Sequence, residues 1–167
     1  TDTLPPIRSN PYLLGNMAPV EHEITAFDLP VTGAIPADLE GRWLRNGPNP
    51  RSVVDPATHH WFLGDGMVHG VRLRGGRAEW YRNRYVSATE GSGPNTNVGG
   101  FAGTTWAMVE AGQPPVELDY ELNPLGVNRF HDTLTGPFSA HPKYDPSTGE
   151  LHAMGYHWPD LIDHLHY

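Results

Sequence analysis

Gly136-Pro-Phe-Ser-Ala-His141-Pro-Lys-Tyr-Asp145-Pro-Ser-Thr-Gly149-Glu-Leu-His-Ala-Met-Gly-Tyr156 reads as two short strands joined by a tight turn. Asp145-Pro146-Ser147-Thr148-Gly149 places proline where a φ near −65° suits a turn. Glycine follows where the return into a strand favours positive φ. His141 is placed at the inner end of the first strand. Pro142 behind it biases the backbone towards an extended conformation, so the imidazole should project off the strand. A lone strand histidine serves either as a hydrogen-bonded structural group or as a metal ligand, and this pattern by itself does not choose between them.

Composition extends the β reading to the whole chain. Among 167 residues there are 19 glycines and 17 prolines. No long helical period runs between them, which points to an all-β, turn-rich architecture. Five tryptophans, seven tyrosines and five phenylalanines supply apolar area worth burying, which argues against disorder. A formal net charge of −8 without a basic run argues against a nucleic-acid partner. The absence of cysteine excludes disulfides, iron–sulfur clusters and thiolate metal sites within these residues and fits a cytoplasmic, reducing setting. No apolar run reaches the ~18 residues of a membrane-spanning helix, and no signal-peptide core is visible. The chain starts with Thr1, without an initiator methionine, so a preceding targeting segment stays open.

Residues 1–40, punctuated by Pro5, Pro6, Pro11, Pro19, Pro30 and Pro36, read as an extended N-terminal arm, and residues 41–167 as the folded part. Arg42-Trp43-Leu44-Arg45 alternates like a short strand closed by a turn at Asn46-Gly47-Pro48-Asn49-Pro50. A three-stranded meander is expected over His60–Leu63, Met67–Leu73 and Arg77–Val86. Its connections would be Gly64-Asp65-Gly66 and Arg74-Gly75-Gly76. A phosphate-binding role for the first of these is set aside, because neither a helix start nor a lysine follows. Ala88–Val98 reads as a polar connection, Thr104–Glu110 and Val116–Tyr120 as strands, 121–137 as irregular, and 162–167 as a further strand.

Several blocks together resemble the carotenoid cleavage oxygenase family, in the family's order. They are Gly41-Arg-Trp-Leu-Arg-Asn46-Gly47-Pro48-Asn49-Pro50, His60-Trp-Phe-Leu-Gly64-Asp65-Gly66-Met67-Val-His69, Asn83-Arg84-Tyr85-Val86, Asn95-Thr96-Asn97-Val98 and the Ala140-His141-Pro142 segment before its acidic turn. The resemblance implies a seven-bladed β-propeller with Fe(2+) on its axis, held by four histidines from separate blades. Seven blades of about 40–45 residues need about 300 residues, so the chain is expected to hold the N-terminal part, the first blades, of an incomplete catalytic domain.

The same resemblance places His141 at the family's first iron ligand, with the other three outside this chain. It places Glu110 among the glutamates that orient ligand histidines; the first ligand is the one without such a glutamate, so the partner of Glu110 is expected outside this chain. The implied activity is cleavage of a conjugated double bond of a carotenoid or apocarotenoid with O2. The implied partner is a small lipophilic substrate, with peripheral membrane contact and no partner protein. Stilbene-cleaving relatives use a tyrosine and a lysine to hold a phenol, and the lysine position aligns with Val109, which favours the carotenoid class. A stilbene-cleaving enzyme and a non-catalytic β-propeller binding module are the alternatives. Of the other histidines, His164 and His166 share one strand face and read as solvated. His59 and His60 point to opposite faces, His69 and His152 read as structural, and His22, His131 and His157 carry no motif.

Overall fold

A computed structural model describes residues 10–53, 55–89, 93–157 and 161–167. It is all-β apart from two single 3₁₀ turns, Pro11–Leu13 and Gly15–Met17. The strands are β1 (Thr25–Phe27), β2 (Gly41–Asn49), β3 (Asp65–Arg74), β4 (Arg77–Tyr85), β5 (Asn97–Phe101), β6 (Thr104–Met108), β7 (Val116–Leu118), β8 (Pro124–Val127), β9 (Lys143–Asp145), β10 (Glu150–His152), β11 (Gly155–His157) and β12 (Leu161–His166). They form two four-stranded antiparallel sheets, ordered β1-β4-β3-β2 and β5-β6-β7-β8, followed by the hairpins β9/β10 and β11/β12. The two sheets are the first two blades of a propeller, an architecture that packs sheets face to face around an axis. β2 lies against β5, so these two strands form adjoining edges of the blades.

The turn chemistry succeeds where two glycines meet: Gly75 and Gly76 take φ of 55° and 75°, the pair of positive values that a two-residue hairpin between right-twisted strands needs. Gly149 likewise has φ 78°, and its N–H donates to the Asp145 carbonyl at 2.9 Å. Asp145 Oδ1 accepts from the Ser147 N–H at 2.8 Å and from its hydroxyl at 2.7 Å, closing the turn that the sequence announces.

The meander differs from expectation. His60–Leu63 is not a strand but part of the loop between β2 and β3, while Asn46–Asn49 continues β2 and pairs with Asp65–Val68. Pro48 is tolerated there because β2 is an edge strand and the missing N–H leaves no ladder bond broken. Gly66 is a strand residue and not a turn glycine. A Cβ placed on it would lie 2.0 Å from the carbonyl oxygen of Pro94, so glycine serves close backbone approach. β5, at the end of the stretch read as a connection, and β8, within the stretch read as irregular, are strands that the sequence reading did not foresee.

Two buried asparagines attach the arm. Asn83 accepts from the Ile24 N–H at 2.6 Å and donates to the His22 carbonyl at 3.1 Å. Asn49 accepts from the Val20 N–H at 2.7 Å and donates to the Val20 carbonyl at 2.9 Å. An amide side chain carries both a donor and an acceptor, so each imitates a neighbouring strand for the passing backbone. β1 then pairs with β4 as the outer strand of the first blade.

The core has two compartments, divided by β6. Ala107 packs with Val68, Trp80, Val86, Val116, Leu118 and Leu122 between the blades. Trp106 and Met108 pack on the other face with Phe138 and Ala140. Each large apolar side chain so buried contributes roughly 1.5–3 kcal/mol. Gly70 makes the blade contact close, since a Cβ there would meet Leu122 at 2.8 Å and Leu44 at 2.9 Å.

On the opposite face of the first blade, His69 is buried and its Nδ1 lies 2.8 Å from the Tyr81 hydroxyl. This accords with the structural role expected of it. Burial, and secondarily the nearby Arg45 charge, lower its pKa from 6.5 to about 4. The unfolded chain therefore binds this proton at a higher pH than the fold does. The stabilisation is complete above pH 6.5 and is lost as pH falls towards 4. Denaturant titrations from pH 7 to 4 should show stability declining across that window, and His69→Gln, which keeps an acceptor for Tyr81 but cannot titrate, should flatten the decline.

Candidate functional site

The segment Ser139–His141 lies across the end of the second blade. Phe138 forms an isolated antiparallel bridge with Gly112, and its ring packs 5.6 Å from Phe130, which stands edge-on to Trp106 at 5.1 Å. This aromatic cluster fixes the approach of 138–141 to the turn that follows β6, where Glu110 sits. The Ala140 N–H donates to Glu110 Oε2 at 3.0 Å, and the Ala140 carbonyl accepts from Asn97 Nδ2 at 2.8 Å. The His141 N–H donates to the Ser139 hydroxyl oxygen at 3.0 Å. His141 is therefore in a bend two residues before β9, not in a strand as expected, because the backbone N–H groups of 140 and 141 are taken by side chains.

Both candidate residues meet here. Glu110 Oε2 is 3.4 Å from His141 Nδ1, with the histidine side chain 61% exposed and the glutamate 37%. The family resemblance assigns the Glu110 carboxylate to a histidine outside this chain. In the structure Oε2 is shared by the Ala140 N–H and the His141 ring, while Oε1 has no hydrogen-bond partner among the described residues.

The donor set fits one ligand of a metal site. A carboxylate beside Nδ1 favours the tautomer with the proton on that nitrogen, which leaves the Nε2 lone pair available to a metal. Among the described residues no group of three or more histidine, aspartate or glutamate side chains could hold a metal ion, so His141 would be one ligand of a shared set. The side chains of His164 and His166 lie outside the described residues. His60 contacts Tyr12 and Phe62 by its ring, and His152 is bonded to the Tyr167 hydroxyl.

Glu110 also belongs to the wall of a cavity of about 540 Å³, lined by Asn46, Pro48, Trp61, Phe62, Thr96 and Val109 among others. Trp61 and Phe62 remain 46% and 64% exposed and pack on each other at 4.9 Å, giving the cavity an aromatic lip. Sequence reasoning placed these two on a strand. It missed Ser139, Asn97 and Asn46 as well, since polar residues in glycine- and proline-rich stretches read as turn formers. The recurrence of asparagine in Asn46-Gly47-Pro48 and Asn95-Thr96-Asn97 was the available signal.

A family model described as retinal pigment epithelial membrane protein matches residues 17–91 and 87–164. The chain belongs to this family. A carotenoid cleavage oxygenase of Mycobacterium tuberculosis is 54% identical over 168 residues, covering 88% of this chain and 33% of the relative. A carotenoid 9,10(9',10')-cleavage dioxygenase of Arabidopsis thaliana is 34% identical, covering 90% of this chain and 37% of the relative. The crystal structure of a lignostilbene dioxygenase from Pseudomonas brassicacearum aligns with TM-score 0.78 at 29% identity, over 92% of this chain and 38% of the other. The chain thus spans about a third of the length of the curated relatives it matches. The carotenoid oxygenase family and the all-β partial-propeller fold read from the sequence both hold. No helix among the described residues is long and apolar enough to cross a membrane.

Glu110→Gln tests the carboxylate. An amide of the same size can still accept from Ala140 N–H only by presenting its oxygen there, and it carries no charge to hold the imidazole proton. In a polypeptide that joins this chain to the remaining blades, divalent-metal affinity measured by chelator competition should fall by about 10–100-fold.

Proposed function

We infer that the protein containing these residues is a non-haem Fe(2+)-dependent dioxygenase that cleaves a conjugated carbon–carbon double bond of a carotenoid or apocarotenoid. The observation that carries this reading is the position of Glu110, whose carboxylate both contacts His141 and lines a largely apolar cavity. Polar metal chemistry and an apolar binding wall therefore share one residue, as a reaction at the middle of a lipophilic chain requires.

The reaction balances without an external reductant: one alkene and one O2 give two carbonyl products, each keeping one oxygen atom. Iron held by His141 together with ligands from outside this chain would supply the activation of O2. The chain's own part is positional. Glu110 Oε2, 3.4 Å from Nδ1, orients the His141 ring and favours the tautomer that directs the Nε2 lone pair outward. Trp61, Phe62, Pro48 and Val109 offer a polyene mainly apolar contact. Fixing the scissile bond against such a wall turns substrate burial into orientation.

A stilbene-cleaving reading has in its favour the 0.78 TM-score with the lignostilbene dioxygenase. Val109 favours the polyene, because the cavity wall next to Glu110 is then aliphatic where a phenol-binding ammonium would stand. Val109→Lys puts a charge into that wall. It should lower apocarotenoid turnover by about tenfold or more, through the cost of desolvating the ammonium against an apolar substrate. Steady-state assays of both substrate classes check this.

His141→Ala is the direct test, made in a polypeptide carrying all the blades. Bound iron and carbonyl product should both fall, while the β-sheet circular dichroism stays as in the parent, because the His141 side chain is largely exposed and takes no part in the core. His152→Ala is the control, removing an imidazole from the same hairpin but away from Glu110. Full activity in His141→Ala, or equal losses in the two variants, would make His141 structural.

A further inference from the structure

Ala140, the residue before His141, is gripped through both of its backbone polar groups. Its N–H donates to the Glu110 carboxylate at 3.0 Å and its carbonyl accepts from the Asn97 amide at 2.8 Å. Ala140 is fully buried at 0% exposure, so water cannot replace either partner without opening the site. A buried carbonyl that loses its donor bears the full cost of desolvation, which makes the grip specific as well as favourable.

Asn97 is itself held. Its Oδ1 accepts from the Val98 N–H at 2.8 Å, which fixes the amide so that Nδ2 faces Ala140. Its carbonyl accepts from Asn46 Nδ2 at 3.1 Å, and the same Asn46 nitrogen donates to the Pro94 carbonyl at 2.9 Å. A continuous path of amide hydrogen bonds therefore runs from β2 of the first blade, through β5 of the second, to the residue before His141. Only asparagine meets both demands at position 97: aspartate would keep the acceptor for Val98 but set a carboxylate against the Ala140 carbonyl, and glutamine would displace the donor by one methylene.

We propose that Asn97 is a positioning residue for the His141 imidazole, forming with Glu110 the two halves of a clamp on Ala140. The inference rests on the reading of His141 as a metal ligand. A ligand must be held within about 0.5 Å of its working position, and the exposed imidazole is carried by a bend with no ladder hydrogen bonds of its own. The clamp supplies the rigidity that the bend lacks. Asn46 extends it, coupling the ligand's position to the packing of the first blade against the second.

The test uses a polypeptide carrying this chain with the remaining blades, in parent form and as Asn97→Asp, Asn97→Gln, His141→Ala and His152→Ala. Iron(II) affinity is measured by chelator competition, and cobalt(II) serves as a spectroscopic probe through its visible d–d absorption. Thermal unfolding is followed in the metal-free proteins. The expected result is an affinity loss of about tenfold or more in both Asn97 variants with altered cobalt bands, at temperatures well below unfolding, and no change in His152→Ala. An Asn97 residue that merely ties the blades together would lower the unfolding temperature and leave affinity and cobalt spectrum as in the parent, and that outcome overturns the proposal. Parental metal affinity in His141→Ala would instead remove the ligand reading on which it rests. Loss in His141→Ala together with parental behaviour of both Asn97 variants would retain the ligand and refute the clamp.

Discussion

Strand β6 is buried on both faces, and the remainder of the structure is arranged around that constraint. Thr105 and Ala107 face the first blade, and Trp106 and Met108 face the segment that leads to His141. A five-residue strand covered on both sides needs a sheet stacked on each flank, which is the condition that makes blades accumulate. Glu110 follows β6 by two residues, so the carboxylate inherits its place from that double burial. Phe138 meets the far face through the aromatic cluster, so the histidine three residues later inherits its place from the same strand.

Asparagine does in this molecule much of what backbone ladders do elsewhere. Asn49 and Asn83 bind the N-terminal arm to the first blade, and Asn46 and Asn97 join the adjoining edges of the two blades and the residue before His141. Buried amides of this kind contribute only about 1 kcal/mol net per hydrogen bond, yet they are costly to break, which suits them to fixing geometry. Apolar packing between the blades supplies the bulk of the stability, and the amides set its register. Arg42 adds to the same joint, donating to Thr105 Oγ1 at 2.6 Å and to the Tyr120 carbonyl at 2.8 Å while stacking 4.1 Å from the Tyr120 ring.

The limits of one-dimensional reading appear at Asn46–Pro50 and His60–Leu63. Asparagine, glycine and proline in succession are turn residues by propensity, and His-Trp-Phe-Leu is strand-like by hydrophobicity. Pairing reversed both, because β2 gains an antiparallel partner along its whole length when it runs to Asn49, and an edge strand can absorb Pro48. The aromatic run was left to line a cavity, where exposure of Trp61 and Phe62 is tolerated. Propensity describes a residue's local preference, whereas ladder pairing is decided by a partner that lies tens of residues away.

By itself the sequence determined what is local or compositional: the all-β class, the glycine turns at 75–76 and 145–149, the family, and the two residues His141 and Glu110 as the ones to examine. Each depends on φ preference, residue chemistry or an ordered set of blocks, all of which survive in one dimension. Tertiary structure alone decided that Glu110 lies against His141, that the Ala140 N–H and carbonyl are bonded to Glu110 and Asn97, and that an apolar cavity opens beside the same carboxylate. Those relations join positions about 30 to 65 residues apart in sequence. They arise from the stacking of one sheet on the next, a long-range packing that no local pattern encodes.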